Sequence, residues 1–314
     1  MKIINLINPE LSMCKYTVSK FPDGETHIKF NDELNRKEDY RVVCRITNAE
    51  DLFILMQTAN ILNNNGVLWS LRIAYLMGMR MDRIMTFKEP FTLKIIADII
   101  NSLGAYSVYV FHPHSDRAIY DINGFNFLDG ACINLMEFES RLYSSIPYWD
   151  QASERFANFK QENLTCAICY PDKGASKRYQ FDYGYFYNDV ANKPEIITLN
   201  KVRDVETGLI KNIEFVNPIK DIDYDVITVV DDLCDGGGTF SGTESLLRSQ
   251  FPNAMINIYI RHMVNPKGID VLANKFDNVY FTNSFKSWEK DNQYNNVHVI
   301  DIISDISKLD EIEF

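Results

Sequence analysis

Asp231 and Asp232 close an apolar run, and Asp235, Gly236, Gly237, Gly238 and Thr239 then lead into a helical pattern, all within VITVVDDLCDGGGTFSGTESLL, residues 226–247. Three consecutive glycines let the backbone turn with positive φ and aim successive N–H groups at one anion, at the positive end of the helix that follows. Such a loop is a phosphate cradle. No Lys follows the last Gly, so the spacing is not that of a Walker loop, and it is not G-x-G-x-x-G either. Two carboxylates just before the loop suit a different task, which is to accept hydrogen bonds from vicinal hydroxyls or to hold a metal beside the phosphate. The combination reads as a ribose-phosphate site. A Gly-rich turn with Asp side chains capping a helix is the alternative for the glycines alone.

These residues need strand ends and helix starts to hold them. Short, Val/Ile-rich runs recur along the chain: IINLI, RVVCRI, LWSLRIAYL, SVYVF, TCAICY, EIITL, DVITVV, INIYI and NVYF. Nearly continuous apolar runs are what strands buried on both faces require. Asp51 to Asn65 and Phe91 to Leu103 carry apolar residues at helical spacing and end in Asn-Gly and Leu-Gly stop signals. The alternation predicts an α/β fold with mainly parallel sheets flanked by helices. With 314 residues and roughly 150 per domain, two such domains are expected, 1–150 and 151–314. The boundary falls in the polar, aromatic stretch between Gly130 and Glu162, and roughly the last ten residues are expected to return to the N-terminal domain.

Composition narrows the function classes. Apolar residues make up 46% and charged residues 24% of the chain, as in ordinary soluble globular proteins. With 32 basic against 43 acidic side chains the net charge is −11, which repels nucleic acid, so none is expected as a partner. No run approaches the length of a spanning helix and no leader pattern opens the chain, so a cytoplasmic protein without a membrane partner is expected. Six dispersed cysteines predict reduced thiols. Cys166 and Cys169 form a C-x-x-C, but on a strand residues three apart point to opposite faces, which argues against zinc or redox chemistry.

VVDDLCDGGGTF resembles the phosphoribosyl-diphosphate (PRPP) motif shared by type I phosphoribosyltransferases and ribose-phosphate diphosphokinases, the PRPP synthetases. Other segments resemble only the second family. FPDGETHIKF, residues 21–30, is similar to its F-x-D-G-E loop, which implies that Phe21 stacks on adenine while Asp23 and Glu25 accept from its amino group. AYLMGMRMDRIMTFKEPFTLKIIADIINSLGAYSVYVFHPHSD resembles the family's Arg-Gln-Asp-Arg segment, its Glu-Pro-initiated helix and its His-bearing strand end. Arg80, Asp82 and Arg83 match there, while Met81 replaces Gln and His112 replaces an acidic residue. The resemblance implies ATP contacts from Arg80, Asp82 and His114, with His114 beside the nucleotide's Mg2+. YPDKGASKR matches a Pro-Asp-x-Gly segment and implies Asp172 as a further Mg2+ ligand. EIITLNKVRD resembles the strand entering the catalytic loop, with Lys201 and Arg203 in catalytic positions.

What the resemblance implies is two phosphoribosyltransferase-like domains, Mg2+ as cofactor, and transfer of diphosphate from ATP to the 1-hydroxyl of ribose 5-phosphate, a step of nucleotide biosynthesis. A homo-oligomer is expected. The family loop commonly reads Asp-Thr-Ala-Gly-Thr, whereas Gly236 and Gly237 remove a hydroxyl and a methyl here. A roomier pocket follows, and with it ADP-ribose as an alternative acceptor, which would place the reaction in NAD metabolism. A type I phosphoribosyltransferase and a non-catalytic regulatory paralogue are the competing readings.

Overall fold

All nine apolar runs become strands in the computed structural model, which describes residues 1–115, 117–127, 165–177, 194–203, 210–219, 222–288 and 293–308. They are β1 (Lys2–Asn5), β4 (Tyr40–Ile46), β5 (Trp69–Leu76), β6 (Val108–Val110), β8 (Cys166–Tyr170), β9 (Glu195–Arg203), β11 (Val226–Cys234), β12 (Met255–Met263) and β13 (Asn278–Thr282). Five further strands lack a long apolar run: β2 (Tyr16–Lys20), β3 (Thr26–Phe30), β7 (Phe125–Phe127), β10 (Ile210–Phe215) and β14 (Val297–Ile300). β2 and β3 form an antiparallel hairpin with mostly exposed residues in β2, and β10 is a sheet edge. Neither position demands continuous burial.

The chain divides into two compact units, one formed by Met1–Ala131 with Asp301–Phe314, the other by Cys132–Ile300. The boundary expected near residue 150 lies outside the described residues. In the first unit five parallel strands run in the order β1-β4-β5-β6-β7. Helix α1 (Ala49–Asn64) starts where the Asn48 side chain accepts from the amides of Glu50 and Asp51, satisfying two of the donors a helix start leaves open. It buries Leu52, Leu55, Thr58, Ala59 and Leu62 at helical spacing, and truncating Leu55 to Ala would cost about 2–5 kcal/mol. Helices α2 (Thr92–Ser102) and α3 (Arg117–Asp121) join β5 to β6 and β6 to β7.

In the second unit the order is β10-β9-β8-β11-β12-β13-β14, parallel throughout except for β10 on β9. From β8 the chain steps to one side to form β9, and from β11 it steps to the other to form β12. The carboxyl ends of β8 and β11 therefore flank a topological switch point, where open α/β sheets leave a crevice. Helix α4 (Gly238–Gln250) follows β11, and α5 (Pro266–Ala273) follows β12. Helix α6 (Ile302–Lys308) belongs to the first unit, where it packs on β5 and buries Ile302, Ile303 and Ile306. No helix among the described residues is long and apolar enough to cross a membrane.

Candidate active site

Asp231 and Asp232 lie near the carboxyl end of β11, beside the switch point. Asp231 and Asp232 are 9% and 3% exposed, and the Asp232 amide donates to Asp231 Oδ1 at 2.9 Å. Burial, the Asp232 carboxylate beside it and the Asp172 carboxylate together push the Asp231 carboxyl well above the usual range. Two adjacent buried carboxylates do not both ionise without a cation or donor to compensate them. Asp231 pairs with Ile260 and Leu233 with His262, so the register sets Asp232 beside Arg261, a fully buried guanidinium on β12.

The glycine loop follows at once. Gly237 has φ +75°, a conformation that costs an L side chain but not glycine. A Cβ built there would lie 3.0 Å from Val271 of α5, whereas Cβ atoms at Gly236 and Gly238 would meet nothing within 4 Å. Asp235, Gly236 and Gly238 are exposed. The first amides of a helix have no partners within it, and no side chain caps the start of α4, the arrangement an anion site uses. Behind the loop, Asn265 Nδ2 donates to Asp235 Oδ1 at 2.9 Å.

Across the switch point, Asp172 follows β8 and Lys201 lies near the end of β9. Lys201 Nζ sits 2.7 Å from Asp172 Oδ2, with side-chain exposures of 11% and 34%, and the Ala175 amide donates to Asp172 Oδ1 at 2.8 Å. Burial raises the Asp172 carboxyl, but the Lys201 and Ala175 hydrogen bonds outweigh it and hold the group below its usual range. Arg203 ends the same strand, and its side chain lies outside the described residues. Among the described residues no three His, Cys, Asp or Glu side chains cluster as an all-protein metal cage.

The remaining candidates belong to the first unit. Phe21–Glu25 is the hairpin turn between β2 and β3, closed by hydrogen bonds from the Gly24 amide to Phe21 O (2.9 Å) and from the Phe21 amide to Glu25 O (2.8 Å). Gly24 has φ +92°, Asp23 Oδ1 accepts from the Glu25 amide at 3.1 Å, and Phe21 is 51% exposed. The loops after β5 and β6 meet: Ser115 Oγ donates to Asp82 Oδ2 at 2.7 Å, and the His114 amide reaches Met79 Sδ at 3.2 Å. Burial raises the Asp82 carboxyl, and the Arg83 and Ser115 hydrogen bonds bring it below the usual range. Asp82 thus ties two loops together, and Arg80 on the first of them is exposed. His112, at φ +37°, holds the left-handed region without being glycine, strain that clusters at functional positions. Cys169 shares a core cluster with Ala167, whereas Ile168 and Tyr170 pack in another, so Cys166 and Cys169 face opposite sides of β8.

No family model matches the chain. Individual curated proteins do. A ribose-phosphate pyrophosphokinase from Helicobacter hepaticus is 23% identical over 278 residues, covering 88% of this chain and 81% of its own length. One from Mycoplasmopsis pulmonis is 24% identical over 308 residues, 96% of this chain and 86% of the relative. Both relatives are named ribose-phosphate pyrophosphokinase, and the chain is similar to them over most of its length. A solved phosphoribosylpyrophosphate synthetase from Mycobacterium smegmatis shares the fold at 16% identity, with a TM-score of 0.71 over 98% of this chain and 97% of that one.

Sequence reasoning missed Arg261, Asn265 and Gly268, which lie beside the acid pair or the glycine loop. Arg261 interrupts the apolar run INIYI only at its end, which was the one available signal. Asn265 and Gly268 gain their importance from a fold contact with the glycine loop, and no local pattern marks it.

Proposed function

We propose that the chain transfers the β,γ-diphosphate of MgATP to the anomeric 1-hydroxyl of ribose 5-phosphate, giving PRPP and AMP. The observation that carries the reading is the second unit's switch point, where the buried Asp231–Asp232 pair, an open glycine loop and the Asp172–Lys201 pair stand on neighbouring strand ends. The sugar oxygen forms a bond to the β-phosphorus, the bond from that phosphorus to the α–β bridging oxygen breaks, and AMP leaves with the bridging electrons. The hydroxyl proton passes to solvent.

Asp231 and Asp232 accept hydrogen bonds from the ribose 2- and 3-hydroxyls, which fixes the direction of the 1-hydroxyl. The amides of Asp235 to Thr239 hold the 5-phosphate. Lys201, with Arg203, neutralises charge on the transferring oxygens, and in-line positioning supplies the rest. Phe21, Asp23 and Glu25, with Arg80, Asp82 and His114, hold ATP. Asp172 and His114 are each proposed as Mg2+ ligands within their own unit, where the ion would screen phosphate charge when bound. Assembly as a homo-oligomer is part of the same reading.

A second acceptor is favoured by the open space over Gly236 and Gly238. A 5-phosphate carrying a further substituent, as in ADP-ribose, would fit there and give ADP-ribose pyrophosphate by the same displacement. The test is AMP release from MgATP with ribose 5-phosphate and ADP-ribose in parallel, with Lys201→Ala as control. AMP with ribose 5-phosphate that disappears in the variant supports the first reading; AMP with ADP-ribose alone supports the second. With neither acceptor giving AMP, a phosphoribosyltransferase or a regulatory paralogue takes their place.

A further inference from the structure

Helix α5 presses on the glycine loop at three points. Asn265, which caps α5 by accepting from the Lys267 amide at 3.0 Å, uses its other side-chain atom to donate to Asp235 Oδ1 at 2.9 Å. The two bonds fix the amide's orientation, because the flipped form would face a donor with a donor and an acceptor with an acceptor. One turn on, a Cβ at Gly268 would lie 2.3 Å from the Asp235 carbonyl oxygen and 2.9 Å from Cys234 Sγ. The helix therefore approaches the loop backbone more closely than any other residue would allow. Val271 then lies where a Cβ on Gly237 would collide, at 3.0 Å. A loop of three glycines has little conformational preference of its own, so its shape must come from what it rests on.

We propose that α5 is the template that sets the anion loop, with Asn265 as a positioning residue acting through Asp235 and Gly268 as the residue that permits the contact. The proposal rests on the reading of the loop as the ribose-phosphate site. The Asn265 amide orients the Asp235 side chain, Gly268 seats the Asp235 peptide, and the amides of Gly236 to Thr239 inherit their direction.

The decisive variant is Asn265→Asp. Asp caps a helix as well as Asn and adds charge favourable to its N-terminus, so α5 keeps its start. Against Asp235, however, a donor becomes a second carboxylate. A residue that only capped the helix would tolerate the change; a positioning residue would not. The expected result is faster amide exchange in residues 236–240, with exchange in β11 and α5 unchanged. KM for ribose 5-phosphate should rise about tenfold, the scale of a hydrogen bond to a charged group, while KM for MgATP stays within about twofold. Asn265→Gln, which keeps the amide, should recover part of the loss. Unchanged loop exchange and unchanged KM in Asn265→Asp overturn the proposal, as does a fall in α5 protection that parallels the loop's. Loop exchange that rises in a protein whose wild type shows no turnover of ribose 5-phosphate supports the template and removes the substrate reading instead.

Discussion

The Lys201–Asp172 pair offers the most direct test of how the second unit is held together in the absence of ligands. Lys201→Met keeps the length and apolar stem of the side chain and removes the ammonium, leaving Asp172 with its Ala175 amide bond and its burial. With exposures of 11% and 34% and a 2.7 Å separation, the pair stands between an exposed ion pair, worth about 0–1 kcal/mol, and a buried one, whose breaking costs about 3–5 kcal/mol. The expected cost is about 2 kcal/mol at pH 7, and Lys201→Met with Asp172→Asn should recover about 1 kcal/mol of it, since no uncompensated carboxylate remains. The Asp172 carboxyl is depressed in the folded state. Its contribution is therefore complete above the unfolded carboxylate value, about 3.9, and lost as pH falls through the lower folded value. Urea titration followed by amide exchange in β8 and β9 reads this unit directly. A coupling below about 0.3 kcal/mol at pH 7, within the error of additivity, would refute the reasoning, and so would one that persists unchanged at the acid end.

Asp231→Asn should raise the melting temperature at neutral pH while abolishing AMP formation. The buried carboxyl has a raised folded value, so its penalty is absent below the unfolded value and grows as pH rises, and the gain in the variant should shrink toward zero in acid; calorimetry across that range checks it. Gly237→Ala must hold Ala at φ +75° against Val271 and should lose about 1–2 kcal/mol, whereas Gly236→Ala, with open space around it, should stay within about 0.5 kcal/mol; thermal unfolding of the two side by side separates them. Phe21→Ala, at an exposed hairpin tip, should leave stability within about 0.5 kcal/mol and raise KM for MgATP, measured by AMP release.

The inner strands were legible because burial on both faces leaves a composition signal: all eight residues of β5 are buried, and the sequence LWSLRIAYL already reads as continuous. β2 and β10 were not, since a hairpin arm and a sheet edge satisfy half their surface with water and can carry YTVSK or IKNIEF. Asp231 to Thr239 declared themselves because that chemistry is contiguous in sequence. Asn265 contacts Asp235 from 30 residues away, and Arg261 comes level with Asp232 only through the β11–β12 register, so neither could be found from spacing. Asp82 carried a motif match, yet its bond to Ser115 depends on two strand-end loops whose approach no local pattern records.

Helix α6 belongs to the first unit although the whole of the second unit precedes it in the chain. During translation, β5 leaves the ribosome long before Ile302, Ile303 and Ile306, the residues that will cover part of it, have been made. The nascent first unit must wait with that apolar surface open while an entire further sheet is synthesised. A chaperone that holds exposed strands would find its substrate in this interval, and a stop codon placed just before residue 301 would prolong it indefinitely.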